Sequence, residues 1–279
     1  MPVLPRSRAK NARCSCRAGL PVSTIAGSSG TMQPPAFFHH NGADLAHHFQ
    51  PGAGPLLVFL PGYMSDMTGS KAEALSQWAA AQGRACLRLD YSGCGASSGD
   101  FLDGSIGRWT GDALALIDHV WPQGEVLLVG SSMGGWIALL AGIALKSRLA
   151  GLVSIAAAPD FTVWGLTVGE AQRRQLEAHG YFTRPSDYGA PYRYSAALLA
   201  DAPDHLLLDG QIGIAAPVRL LHGQRDDAVP WRLSLDIAAR ITGDDVQLHF
   251  IKDGDHRLSR PGDIALMIAI VERLCAQSS

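Results

Sequence analysis

From about residue 37 onward, short apolar runs alternate with longer segments in which apolar residues recur every three or four positions. The short runs have the length of buried β-strands, and the longer segments have the periodicity of amphipathic helices. The pattern predicts strands at 56–60, 85–89, 126–129, 152–157, 218–221 and 246–251, and helices at 71–81, 106–120, 136–145, 232–241 and 263–275. Such alternation predicts an α/β fold, with a mostly parallel sheet flanked by helices. Ligands of these sheets bind at the carboxyl ends of the strands.

One segment, about residues 160–215, interrupts the alternation. It contains no clean strand but is rich in aromatic side chains, namely Phe161, Trp164, Tyr181, Phe182, Tyr188, Tyr192 and Tyr194. An insertion at this point of the chain predicts a helical lid over the carboxyl edge of the sheet, where it would enclose an apolar site. The alternative is a helical excursion whose aromatic side chains pack on the core.

The most informative chemistry lies at the end of the strand at 126–129, where the sequence reads VGSSMGG. This run contains G-x-S-x-G, centred on Ser132, and an apolar helical stretch follows it. Strand, serine and helix in this order predict a tight turn that holds the serine Oγ above the edge of the sheet. Gly130 and Gly134 let the strand and the helix approach each other across that turn. Ser132 is therefore the predicted nucleophile.

A catalytic serine needs a general base, and the base needs an acid that fixes its tautomer. In this architecture the chain order is serine, acid, histidine, and the acid and histidine follow late strands. HGQRDDAVP (222–230) follows one late strand, and DGDH (253–256) follows the last one. We predict that Asp226 is the acid and that His256 is the base.

Two acidic residues compete for the first of these roles. Side chains of adjacent residues diverge, so Asp226 and Asp227 cannot both face His256. Asp226 fits the pattern H-G-x-x-D-x-x-V-P, and Asp227 is then expected to be a loop or helix-capping residue. His222 lies too close to the strand core and is expected to be structural.

The oxyanion of an acyl-transfer reaction needs two backbone N–H donors. One comes from the residue after the nucleophile, which is Met133. The other comes from the loop after an early strand, where Tyr63 follows Leu60-Pro61-Gly62. Both assignments depend on position, because a backbone donor leaves little trace in the identity of the side chain.

The composition excludes several classes of function. A net charge of −2 gives no electrostatic basis for binding nucleic acid, and the apolar runs are too short for integration into a membrane. Five scattered cysteines do not form a disulfide framework, which favours a reducing compartment such as the cytoplasm. Neither Cys14 and Cys16 nor the adjacent histidine pairs have the spacing of metal ligands. We therefore expect no metal and no cofactor.

The N-terminal segment, residues 1–36, lacks acidic residues and contains several Arg, Ser and Pro. This composition predicts a disordered extension to a domain that spans residues 37–279. An Arg- and Ser-rich segment without acids is typical of a mitochondrial transit peptide, so the mitochondrial matrix is the alternative location. A further alternative is that translation starts at Met32.

Four stretches together carry a resemblance to a known family: FLPGYMSDMTGSKA (59–72), RLDYSGCGASSGD (88–100), VGSSMGGW (129–136) and RLLHGQRDDAVPW (219–231). They resemble the mitochondrial α/β-hydrolase-domain palmitoyl-protein thioesterases, which are also described as mycophenolic acid acyl-glucuronide esterases. The resemblance implies the α/β-hydrolase fold, and the nucleophile, acid and base of the family fall on Ser132, Asp226 and His256. The Ala-, Gly- and Arg-rich composition is typical of a bacterial relative.

These observations predict a serine hydrolase that cleaves carboxylic esters or thioesters through an acyl-enzyme. The substrate would be a small-molecule ester, an acyl thioester or an acylated protein. Two alternatives remain open at this point. One is a serine aminopeptidase-like hydrolase, and the other is a non-catalytic ligand-binding protein of the same fold.

Overall fold

The sheet at the centre of the molecule contains eight strands in the part of the chain that the computed structural model describes, residues 34–186 and 190–277. In chain order its strands are β1 (Ala36–His40), β2 (Ala43–Gln50), β3 (Ala53–Leu60), β4 (Arg84–Leu89), β5 (Val126–Ser131), β6 (Leu149–Ile155), β9 (Val218–Gly223) and β10 (Val246–Ile251). Their spatial order is β1-β2-β4-β3-β5-β6-β9-β10, and from β4 to β10 all neighbours are parallel. The predicted mostly parallel sheet is confirmed, and β1 and β2 extend it by an antiparallel hairpin.

Helices cover both faces of this sheet. They are α1 (Ser70–Ala81), α2 (Ile106–Val120), α3 (Met133–Leu145), α7 (Leu233–Arg240) and α8 (Pro261–Gln277). The side chains of β3 show the division: Leu56, Val58 and Leu60 belong to the core that contains α2 and α3, whereas Leu57 and Phe59 belong to the core that contains α1 and α8. Because successive side chains of a strand point to opposite faces, one apolar run supplies both cores.

The insertion between β6 and β9 contains helices, as predicted, and also strands that the sequence did not predict. Its helices are α4 (Phe161–Trp164), α5 (Glu170–His179) and α6 (Ala196–Asp201). Between α5 and α6, β7 (Tyr181–Arg184) and β8 (Tyr192–Ser195) pair as an antiparallel hairpin. The expectation of no strand in this segment is therefore wrong. Each strand has only four residues, too few to show a clear alternation of apolar and polar positions.

Two parts of the predicted organisation concern residues outside the described ones. Residues 1–33 of the predicted N-terminal extension lie outside the described part of the chain, and so does Tyr188 of the insertion. Ala36, which we assigned to the extension, is the first residue of β1.

Candidate active site

Ser132 occupies the turn between β5 and α3, the two elements that the sequence predicted on either side of it. Its backbone angles are φ 56° and ψ −120°, a region that non-glycine residues rarely adopt and that costs about 1–3 kcal/mol. Hydrogen bonds hold this conformation: the Ser132 amide donates to the carbonyl of Ile155, and its carbonyl accepts from the amides of Gly135 and Ala158. The turn therefore presents the serine side chain at the carboxyl edge of the sheet.

The glycines on either side of the serine are required by close backbone contacts. A Cβ on Gly130 would lie 2.2 Å from the carbonyl oxygen of Gly134, and one on Gly134 would lie 2.1 Å from the carbonyl oxygen of Leu60. Both distances are far below van der Waals contact. The second contact shows that Gly134 also lets α3 pack against the end of β3, which the sequence pattern alone did not indicate.

The structure brings the three predicted triad residues together. The Ser132 hydroxyl lies 3.2 Å from Nε2 of His256, and Nδ1 of His256 lies 2.8 Å from Oδ2 of Asp226. Asp226 follows β9 and His256 follows β10, as expected from the chain order. The Asp226 side chain is completely buried, whereas 16% of the His256 side chain is exposed. These contacts form a continuous hydrogen-bonded relay from a buried carboxylate to a serine at the edge of the sheet.

The Asp226 carboxylate has a full set of hydrogen-bond donors. Oδ1 accepts from the amides of Ala228 and Val229, and Oδ2 accepts from both His256 and His222. Burial by itself raises the pKa of Asp226, but the hydrogen bonds from the two imidazoles and the backbone outweigh it and hold the pKa well below its usual range. The carboxylate is therefore ionised at neutral pH. Asp227, the competing candidate, is exposed and makes none of these contacts.

The predicted oxyanion residues lie beside the serine. Met133 is the first residue of α3, and the loop that carries Tyr63 passes close to the turn. A Cβ on Gly62 would lie 3.4 Å from Cβ of Ser132, so the backbone of this loop packs directly against the predicted nucleophile. The donor roles of the two amides stay predictions.

The side chain of Tyr63 connects this loop to the inserted hairpin. Its ring stacks on Tyr194, with a centroid distance of 5.2 Å and an interplanar angle of 7°, and its hydroxyl donates to the carbonyl of Arg193. Phe161 and Phe101 form T-shaped contacts with the same ring. Burial raises the pKa of Tyr63 far above its usual value, so the phenol remains a donor.

A cavity of about 1060 Å³ opens above Ser132 and His256. The insertion lines it with an aromatic and apolar wall, formed by Phe161, Trp164, Leu166, Tyr192 and Tyr194, and also contributes Arg184 and Ser186. The polar residues that line the cavity from outside the insertion, here called the polar wall, include Ser65, Asp66, Ser70, Lys71 and Ser259. The segment predicted as a lid thus lines the space in front of the serine.

Lys71, on the polar wall, was not identified from the sequence. Its ammonium group donates to the carbonyl of Arg257 at 2.6 Å and to the hydroxyl of Ser259 at 3.2 Å. Burial, reinforced by Arg257, lowers the pKa of Lys71 to about 8. The hydrogen bonds of Lys71 connect α1 to the loop that carries His256. Lys71 and Arg257 are 186 positions apart in the chain, so no local sequence pattern could predict their contact.

In residues 34–186 and 190–277, no group of three His, Cys, Asp or Glu side chains is close enough together to hold a metal ion. None of the helices in the same ranges is both long enough and apolar enough to cross a membrane.

Comparison with known proteins gives one consistent result. The α/β hydrolase family matches residues 57–265. Mouse palmitoyl-protein thioesterase ABHD10, mitochondrial, is 39% identical over 235 residues, which cover 83% of this chain and 78% of the mouse protein. The structure of a putative hydrolase from Agrobacterium vitis superimposes with a TM-score of 0.81 at 39% identity, covering 87% of this chain and 98% of the other. The structure of mouse α/β hydrolase domain-containing protein 10 gives a TM-score of 0.80 at 37% identity, covering 88% and 100%. The chain therefore belongs to the α/β hydrolase family and, within it, to the group of the ABHD10 thioesterases.

Proposed function

We propose that this serine hydrolase cleaves acyl thioesters and carboxylic esters, with Ser132 as the nucleophile, His256 as the general base and Asp226 as the acid that orients it. The observation that carries the proposal is the relay of 3.2 Å and 2.8 Å contacts that ends at a serine facing the cavity. Tyr63 and Met133 donate their backbone N–H groups to the oxyanion.

The reaction begins when Nε2 of His256 removes the hydroxyl proton of Ser132 as Oγ attacks the acyl carbonyl. Negative charge then develops on the carbonyl oxygen beside the amides of Tyr63 and Met133. His256 passes its proton to the leaving alcohol or thiol, and an acyl-enzyme forms on Ser132. A water molecule, deprotonated by His256, hydrolyses this intermediate and restores the serine. The ionised Asp226 stabilises the imidazolium of His256 in both halves of the reaction.

The aromatic wall favours a long acyl chain as the group held on the enzyme. Ligand cavities in proteins typically measure about 300–1000 Å³, so a cavity of about 1060 Å³ has room for an extended chain together with a leaving group. The mouse relative is a palmitoyl-protein thioesterase. We propose a palmitoyl-like thioester as the substrate class, carried by a protein or by a small molecule. Small esters, including acyl glucuronides, are the second candidate, because the polar wall can accept a hydrophilic leaving group.

The test is steady-state kinetics on matched p-nitrophenyl esters and acyl-coenzyme A thioesters of increasing chain length, with Ser132→Ala as the control. Preference for long thioesters, abolished in the variant, supports the thioesterase. Preference for short esters supports the small-molecule esterase. If the enzyme turns over none of these substrates and a fluorophosphonate probe does not label Ser132, the protein is a ligand-binding member of the fold. Turnover of aminoacyl amides in place of esters would identify an aminopeptidase.

We also propose that the protein acts in the cytoplasm. Its buried thiols, Cys86 and Cys94, form no disulfide, and burial raises the pKa of each to about 12. The mouse relative is mitochondrial, and the mitochondrial matrix is the alternative location. Subcellular fractionation followed by detection with an antibody separates the two.

A further inference from the structure

Asp226 contacts two histidines, and only one of them reaches the serine. His222, at the end of β9, has a completely buried side chain whose Nε2 lies 3.1 Å from Oδ2 of Asp226. The same oxygen accepts the hydrogen bond from Nδ1 of His256. The carboxylate oxygen of the relay is thus shared between two imidazoles, one on the catalytic side and one on the core side.

The surroundings of His222 determine which of its nitrogens carries the proton. Nε2 lies within hydrogen-bond distance of two groups, the Asp226 carboxylate at 3.1 Å and the carbonyl oxygen of Val229 at 3.2 Å. Both groups can only accept, so Nε2 must be protonated. Nδ1 lies 2.8 Å from the hydroxyl of Ser234 in α7, which can donate to it. The site therefore selects an imidazole whose Nε2 carries a proton.

We infer that His222 is a positioning residue. The hydrogen bond that its Nε2–H donates to Asp226 stabilises the negative charge of the carboxylate, and this limits how strongly the carboxylate retains the proton on His256. The inference rests on the proposed triad. A hydrogen bond donated to the charged form of an acid weakens the attraction of that acid for a proton. With His222 in place, the His256 imidazolium is stabilised enough to form and can still release its proton to the leaving group.

Among the hydrogen-bond partners of His222 in the described residues, which are Asp226, Val229 and Ser234, Asp226 is the charged one. Asp226 comes from the loop after β9 and Ser234 comes from α7. On β10, the register partner of His222 is the uncharged Phe250. Across the carboxylate, His256 comes from the loop after β10. A change at His222 is therefore transmitted to His256 through Asp226.

Two variants test the inference through the pH dependence of kcat/KM. His222→Leu removes the donor, and His222→Gln replaces it by an amide N–H of similar reach. We expect the acidic limb of the profile in His222→Leu to move to higher pH by about 0.5–1 unit, because the unshared carboxylate holds the His256 proton more tightly. We also expect kcat to fall several-fold with little change in KM, and His222→Gln to restore both. A folded His222→Leu enzyme with an unmoved acidic limb overturns the inference.

The wild-type enzyme provides a second test that does not depend on the folding of a variant. Nitrogen-15 shifts of labelled histidine report the tautomer of each imidazole. We expect the resonances of His222 to show a protonated Nε2, and an unprotonated Nε2 would overturn the inference. This measurement is independent of the proposed function, whose failure appears instead as undiminished activity in Ser132→Ala.

Discussion

The substitution Asp226→Asn tests the relay most directly, because the surroundings of the carboxylate dictate how the new amide must lie. The amides of Ala228 and Val229 both donate to Oδ1, so the asparagine oxygen must take that position. Its NH₂ group then occupies the place of Oδ2 and faces His256 and His222. A donor facing Nδ1 of His256 forces that nitrogen to accept. The proton consequently moves to Nε2, where it points at Ser132.

In this tautomer His256 cannot remove the proton from the serine. We expect kcat to fall by about 10³- to 10⁴-fold, as is typical when the triad base is held in the wrong tautomer. This loss corresponds to about 4–5.5 kcal/mol of transition-state stabilisation. KM should change little, since Asp226 does not line the cavity.

The same substitution should destabilise the folded protein by about 1–3 kcal/mol at neutral pH, because charge-assisted hydrogen bonds to the carboxylate are lost. Folding lowers the pKa of Asp226. The carboxylate therefore contributes fully to the free energy of unfolding above about pH 4, which is the pKa of an aspartate in the unfolded chain. It is lost as the pH falls towards the native pKa. The stabilities of wild type and variant should therefore converge in acid.

The assay is hydrolysis of a p-nitrophenyl ester, with urea unfolding measured in parallel. Asp227→Asn is the matched control: it removes a charge from the adjacent residue, which is exposed at the cavity, and should leave kcat within about twofold of wild type because the relay through Asp226 is intact. Retention of more than a tenth of the wild-type kcat by Asp226→Asn would refute the tautomer argument. A large loss in Asp227→Asn would show that the acid was assigned to the wrong residue.

Three further predictions concern the turn, the polar wall and the aromatic wall. Gly134→Ala should lower the free energy of unfolding by about 1–3 kcal/mol, because its Cβ would lie 2.1 Å from the Leu60 carbonyl oxygen. In the control Gly111→Ala the new Cβ meets nothing within 4 Å, and urea unfolding should show a gain of about 0.5–1 kcal/mol. Between pH 8 and about 10, the free energy of unfolding of wild type should rise relative to that of Lys71→Met. In this range the lowered pKa of Lys71 makes the unfolded chain bind more protons than the folded one. Equal dependence on pH in the two proteins, measured by urea unfolding, would contradict this. Trp164→Ala should reduce kcat/KM for a palmitoyl thioester about tenfold and leave kcat/KM for an acetyl ester within about threefold of wild type. Equal losses on both substrates would contradict a role of Trp164 in binding the acyl chain.

The sequence predicted the parts of the site that depend on local order along the chain. Ser132, Asp226 and His256 each follow an apolar strand, and parallel strands bring their carboxyl ends to one edge. Two other features depend on distant packing and could not be predicted in this way. Lys71 donates a hydrogen bond to a loop 186 residues away. The four-residue strands β7 and β8 are stabilised by contacts such as that between Tyr194 and Tyr63.

His222 is an intermediate case. Its spacing of four residues from Asp226 is visible in the sequence, and we assigned it a structural role. The turn after β9 brings the two side chains together within one short loop. A histidine four residues before a predicted catalytic acid, at the end of a strand, is thus a signal that can be found in a sequence.

Tyr63 has a consequence for attempts to redesign substrate choice. Its backbone belongs to the loop beside Ser132, whereas its ring and hydroxyl are fixed by Tyr194 and Arg193 of the hairpin. Engineering the hairpin for a different acyl chain will therefore also displace the loop beside Ser132, and we expect turnover to change for every substrate. Trp164 and Leu166 line the same wall on a separate part of the insertion. Selectivity is best altered there, where chain length can be tuned while the rate constant of the chemical step is preserved.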